Sequence, residues 1–221
     1  HIRELPYCRF IEREKNVGRA AIRNFLAKHA LHPWLLFIDC NMSVVHPQYL
    51  STYQHTEEND VIYGGYQIKP NPELMQHNLR YIFESSPQNG DHQLRQAHPY
   101  RDFHTSNFLI KRSIIERFPL DERFKHYGYE DVLFGKTLKD NHITITHIDN
   151  PLGYEHFVGN MTFISKTEES LHSLQLFKDE LRGYSRVITY ADKLKSLHLY
   201  PVCQKLFPWL SLPIKAKLTG N

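Results

Sequence analysis

Residues 34–39 read WLLFID. An unbroken apolar run of this length buries a strand on both faces, so it belongs inside a sheet that helices cover on each side. A half-solvated meander would alternate apolar with polar residues instead. The run ends in Asp39, and ligands of open α/β sheets bind just beyond the carboxyl ends of the strands. One short segment therefore points to a layered α/β fold and to where its site would lie.

The rest of the chain follows the same alternation. The segment 18–30 has helical spacing, with Ala21, Ile22, Phe25, Leu26 and His29 on one face and Gly18 as entry turn. Pro47 marks a helix start. A strand over 61–68 is interrupted by Gly64 and Gly65, a helix covers 72–85, and polar residues 86–102 read as a mobile loop. A strand over 103–112, helices over 112–118 and 130–140, and an alternating strand over 142–148 come next. Ser165 with Glu168 reads as a capping box that opens a helix over 165–181, and Pro201, Pro208 and Pro213 divide the last stretch of the chain into short helical pieces. The order predicts an α/β fold with a mainly parallel sheet flanked by helices over 1–160, and a helical extension over 161–221.

The chain has 221 residues, 41% of them hydrophobic, enough for a real core and far from a disordered composition. Its formal net charge of +3 is spread along the sequence, which speaks against a nucleic-acid binder. The 15 histidines are dispersed and form no zinc-like pattern with cysteines. Cys8, Cys40 and Cys203 are odd in number and far apart, which suits a reducing, cytoplasmic setting rather than a disulfide framework. No apolar run is long enough to span a bilayer. The chain opens on HIRELPYCRF without a methionine, so a preceding part is expected.

Three places carry chemistry. Asp39 and Asn41 are one residue apart at a strand end; their oxygens suit a hard cation such as Mg²⁺ or Mn²⁺, and a simple capping turn would look the same. Glu130 and Asp131 are adjacent at a helix start, where the dipole favours acids, but the preceding YGY is an unusual turn for a solvated cap and would aim an acid into a cleft. His156, next to Glu155, is a candidate ligand that a packed or solvated histidine would equally resemble.

Taken in series, EKNVGRAAIRN (14–24), WLLFIDCNM (34–42), VIYGG (61–65), HTSNFLIKRSIIERF (104–118), FKHYGYEDVLFGKTL (124–138) and YEH (154–156) resemble the inverting family 2 glycosyltransferases of GT-A fold. The resemblance runs from about residue 8 to about residue 160. It implies transfer of a sugar from a nucleotide-sugar to a hydroxyl of a glycan or lipid-linked acceptor, in polysaccharide biosynthesis. Asp39 and Asn41 fall on the family's Asp-x-Asp motif, which holds the donor diphosphate through Mn²⁺ or Mg²⁺. Asn at the third position brings an oxygen but no charge. Asp131 falls on the family's base, with Glu130 binding acceptor. His156 falls near the histidine that completes the metal site. Gly18 and Arg19 match the loop that approaches the nucleotide, and Ser106 and Asn107 match the donor sugar pocket. The family's first strand units have no counterpart here, which implies an incomplete nucleotide pocket and a bare sheet edge able to self-associate.

Two other classes remain at this point. A sugar nucleotidyltransferase would need a Gly-rich, Lys-bearing N-terminal loop that this sequence does not show. A non-catalytic carbohydrate-binding or scaffold protein would be consistent with Asn41 as a decayed metal ligand. The tail adds Phe207, Trp209, Leu210 and Leu212 among Lys205, Lys215 and Lys217, a pattern able to lie on an anionic membrane surface.

Overall fold

A computed structural model describes residues 2–54, 58–86 and 90–206. The main sheet contains β1 (Trp34–Ile38), β3 (Val61–Tyr63), β5 (Asn107–Lys111) and β6 (Ile145–His147), in the order β1-β5-β3-β6. A smaller sheet contains β2 (Met42–Val44), β4 (Tyr66–Gln67) and β7 (Leu152–Tyr154), in the order β2-β7-β4. β5 pairs antiparallel with both β1 and β3, whereas β3 and β6 are parallel. β1, β3 and β6 thus run the same way and β5 is reversed between them. The α/β expectation holds; its mainly parallel sheet is corrected to a mixed one, because the reversed strand sits in the middle.

The expected strand over 61–68 is two strands in two sheets. Gly65 has φ +78, and a Cβ on Gly64 would lie 2.5 Å from both Asn107 Nδ2 and Asn150 O. The chain can change sheets only where side chains are absent.

Helix α1 (Arg19–His29) buries Ala20, Arg23, Asn24 and Ala27 rather than the more apolar face expected from the sequence. Leu26 is exposed. The buried polar pair has partners: Asn24 donates to Leu120 O at 2.9 Å and accepts from Leu120 N at 3.0 Å. The expected helix from Pro47 reduces to a single 3₁₀ turn, Ser51–Tyr53.

The helix over 72–85 is in fact two, α2 (Pro72–His77) and α3 (Leu79–Glu84). Asn78 between them is extended, with its Oδ1 accepting from Tyr81 N at 2.8 Å. A short amide side chain offers the backbone an alternative to the helical bond, and here it starts a new helix. Asn160 accepts from Leu79 N and donates to His77 O, both at 2.9 Å, and so holds the break from outside.

The expected mobile loop contains α4 (His92–Gln96), capped by Asp91. Its Arg95 is 2% exposed and lies over the Tyr63 ring at 5.3 Å. Then come α5 (Arg112–Arg117), α6 (Glu130–Asp140), α7 (Asn160–Leu176) and α8 (Arg186–Ser196). α7 starts five residues before Ser165, with Gly159 at its N-cap, so the capping box is not what opens it.

The core lies between the main sheet and α1, α5 and α6. Phe108 is fully buried, stacked on Phe37 at 4.9 Å and near Phe103 and Phe134. Truncating such a ring to alanine costs about 3–5 kcal/mol. A second cluster joins Phe124 and Leu133 to Leu174, Phe177, Leu181 and Ile188, so the helices after residue 160 pack on the body. Among the described residues no helix is long and apolar enough to cross a membrane. Phe207, Trp209, Leu210, Leu212, Lys215 and Lys217 lie outside the described residues.

Candidate active site

Asp39 follows β1, the strand whose apolar run delivers it. Its backbone N–H donates to Ser106 O at 3.0 Å, which joins the end of β1 to the start of β5. Its Oδ1 accepts from Arg23 Nη2 at 2.7 Å. Arg23 is 7% exposed and also donates to Thr105 O at 3.1 Å. A buried guanidinium needs such partners, and the aspartate is the charged one.

α6 begins with Glu130 and Asp131 after the expected tight turn. Gly128 has φ +98 and Tyr129, the N-cap, has φ +67. A tyrosine in the left-handed region is strained by about 1–3 kcal/mol and persists only where its surroundings dictate it. They do so here: a Cβ on Gly128 would lie 2.5 Å from Ser170 Cβ on α7. On either side, Tyr127 N donates to Glu169 Oε1 and Tyr127 O accepts from Ser173 Oγ, both at 3.1 Å.

The turn gives the two acids opposite properties. Asp131 Oδ2 lies 2.9 Å from His104 Nδ1, and its Oδ1 accepts from Val132 N at 2.9 Å. Burial alone would raise its pKa; the His104 hydrogen bond and charge, with the Val132 N–H and the field of Arg23, bring it below the ordinary value. His104 moves the other way. Burial would lower it, but Asp131 outweighs burial and raises it. Glu130 is 4% exposed, and burial together with the adjacent Asp131 charge raises its pKa against the opposing charge of Arg19. Its Oε1 meets Arg19 Nη1 at 3.4 Å, and its buried Oε2 accepts no hydrogen bond among the described residues.

Arg19 and Arg23 stand one turn apart on α1. The first reaches Glu130 and the second reaches Asp39, so one helix ties together acids 91 residues apart (130 − 39). Gly18 enters this helix at φ +86, and a Cβ there would lie 3.2 Å from Phe124 O. Of the expected site residues, Gly18, Arg19, Asp39, Glu130 and Asp131 are thus gathered around α1. Ser106 is 9% exposed, beside Asp39 through its carbonyl.

Asn107 requires a correction. It is fully buried; its Oδ1 accepts from Tyr49 and Tyr53 hydroxyls at 2.6 and 2.9 Å, and its Nδ2 donates to Gly65 O and Asn150 O at 2.7 and 3.0 Å. All of its hydrogen-bonding capacity is spent in joining the two sheets, and none is left for a sugar.

For the cation, the donor set is a partial one. Among the described residues no three His, Cys, Asp or Glu side chains gather as a metal-holding group. Asp39 and Asn41 flank Cys40 just before β2, and His156 is exposed just after β7. β2 and β7 pair with Met42 opposite Tyr154, so the chains bearing Asn41 and His156 leave the small sheet at the same end. One carboxylate and one amide oxygen fit Mg²⁺ or Mn²⁺, which take the rest of their shell from phosphate and water.

Sequence reasoning missed two residues. Arg23 and His104 both lie inside motifs quoted above, but their partners are 16 and 27 residues away in the chain. No local signal marked either one, since the apolar spacing of α1 points to a different face from the one that is buried.

In comparison with known proteins, residues 2–118 match the profile described as glycosyl transferase family 2. The match includes Arg19, Arg23, Asp39 and His104 and stops before Glu130. No match is found among curated proteins.

Proposed function

The chain belongs to glycosyl transferase family 2, with the GT-A α/β fold of that family, and from that premise we propose that it is an inverting transferase that moves a sugar from a nucleotide-sugar to an acceptor hydroxyl of a glycan or glycolipid. The observation that supports this reading is the pairing of Arg19 with Glu130 and of Arg23 with Asp39 from one helix, which ties a strand-end acid and a turn acid to the same element.

In this reading the acceptor hydroxyl attacks the anomeric carbon from the face opposite the diphosphate. A carbon–oxygen bond forms to the acceptor, the anomeric carbon–phosphate oxygen bond breaks, and the hydroxyl proton passes to Asp131. A carboxylate with a lowered pKa is a weak base, which suits an oxocarbenium-like transition state in which the proton moves late. His104 is a positioning residue: its Nδ1–H fixes the Asp131 carboxylate. The unpaired Oε2 of Glu130 is available to an acceptor hydroxyl. Asp39 and Asn41, with His156 as a further ligand, would hold Mg²⁺ or Mn²⁺, which supplies charge stabilisation to the departing diphosphate. Arg23 orients Asp39 through the 2.7 Å hydrogen bond.

The test is a panel of nucleotide-sugars incubated with the whole protein and simple sugar acceptors, reading release of nucleoside diphosphate. Release with at least one donor, dependent on acceptor, supports the reading. Binding of sugars without release from any donor would favour a non-catalytic carbohydrate-binding protein.

A further inference from the structure

Tyr127 gathers three cations from three different elements. The Arg19 guanidinium lies 4.6 Å from its ring centre, Lys166 Nζ lies 5.5 Å from it, and Arg80 Nη1 donates to its hydroxyl at 3.2 Å. Arg19 opens α1, Arg80 lies on α3 and Lys166 on α7. Like charges held this close repel each other unless something negative is shared among them.

The carboxylates nearby do not balance them fully. Arg80 is paired with Glu84, both side chains largely buried. Arg19 has only the 3.4 Å contact with Glu130. Glu169 is occupied by Tyr127 N at 3.1 Å and His126 at 3.3 Å. Lys166 has no ion pair among the described residues. Among the described residues its interaction is with the aromatic ring alone, and a lysine is held more firmly by a phosphate or carboxylate than by a half-exposed ring.

The cradle sits on the turn that carries Glu130 and Asp131, one turn of α1 away from Arg23 and Asp39. Arg80 and Lys166 contact the turn and not the end of β1. We propose that Arg19, Arg80 and Lys166 around Tyr127 form an anion-binding subsite for the acceptor, so that the hydroxyl to be glycosylated belongs to a molecule bearing a phosphate or carboxylate group. This rests on the transferase reading above for the word acceptor, but the anion subsite itself can be measured without any turnover.

The experiment uses the whole protein with inorganic phosphate, acetate and uridine diphosphate as probes, followed by calorimetry or by chemical-shift perturbation. Wild-type protein is expected to bind phosphate or acetate in the millimolar range. The stronger of the two tells a phosphorylated acceptor from an acidic sugar. Lys166→Gln is expected to weaken that anion by about 5-fold and Lys166→Glu to abolish it, while uridine diphosphate affinity stays within about 2-fold. Both substitutions are on a solvent-accessible helix face, and a circular dichroism melt identifies any variant that fails to fold; Lys166→Arg, which keeps the charge, is then expected to retain binding. The proposal is overturned if neither anion binds the wild type, if Lys166→Glu binds it unchanged, or if Lys166→Gln weakens uridine diphosphate as much as it weakens the small anion, which would assign the cradle to the donor. Anion binding that persists while no donor is turned over would remove the transferase reading and leave the subsite.

Discussion

The two acidic positions near α1, the end of β1 and the start of α6, are built differently. Asp39 ends a strand, keeps its side chain 31% exposed and has one charged partner, Arg23. Asp131 stands on a strained turn, with both oxygens engaged by His104 and Val132 N–H and the turn pressed against α7. The strand end leaves oxygen free for a ligand, which is what the proposed metal role needs. The turn is held by its own hydrogen bonds and packing, which is what the proposed base role needs. Substitutions should separate the two: changes at Asp39 should be read mainly in binding and changes at Asp131 mainly in turnover.

The largest expected effect comes from Asp131→Asn. Turnover should fall by about 10²–10⁴-fold with donor affinity nearly unchanged, the usual worth of a general base. Wild-type turnover in that variant would end the comparison. Next is Asp39→Ala, which should remove Mn²⁺-dependent donor binding, about 10–100-fold in affinity by calorimetry with and without EDTA; Asn41→Asp, which adds a charged oxygen, should keep or strengthen it. Equal donor affinity in Asp39→Ala would show that the strand end holds no metal.

A smaller effect is expected from His104→Ala. Turnover should drop by about 10-fold, and the acid limb of kcat/KM should move to higher pH. The sign follows from the pair. The Asp131 pKa is lowered in the folded protein, so its contribution to stability is present above the unfolded value of 3.8 and is lost as pH falls through the folded one. The His104 pKa is raised, so its contribution is present below the unfolded value of 6.5 and is lost as pH rises through the folded one. Without His104, burial acts on Asp131 unopposed by its main partner. An acid limb that stays in place would mean that His104 only fills space.

The smallest effect isolates the other histidine of this sheet. His147 is buried, accepts from Arg95 Nε at 3.3 Å and donates to Pro99 O at 2.9 Å. Burial pulls its pKa down to about 4. The unfolded chain therefore takes up a proton near pH 6.5 that the folded one refuses, and stability should fall by about 1 kcal/mol between pH 6.5 and 5.5. Urea unfolding at those two pH values should show a smaller drop in His147→Gln. An equal drop would assign the sensitivity to other groups.

How much of this was legible in the sequence depends on how local the signal was. The strand ending at Asp39 and the helix opening at Glu130 were readable because an apolar run and a turn before an acid pair are local features. The break at Asn78 was not, because an asparagine inside an apolar-periodic stretch shows its capping role only once Asn160 is beside it. Asn107 is assigned to the donor pocket only through the family resemblance, and the tyrosines that saturate it are more than 50 residues away in the chain. Arg23 and His104 were hidden for the same reason: a charge pair leaves no trace in either residue's neighbourhood along the chain.

The contact between Gly128 and Ser170 has a consequence for how such a protein can diverge. The family match ends at residue 118, yet the turn that carries Glu130 and Asp131 is braced by a helix well past that limit. Drift in α7 that keeps Ser170 small and the Glu169 and Ser173 bonds to Tyr127 can change what surrounds Lys166 without moving either acid. Replacing Ser170 by a larger residue would instead push on Gly128 and Tyr129 and move the base itself. Residues 2–118 carry the family match, whereas Glu130, Asp131 and the helix that braces their turn lie beyond it.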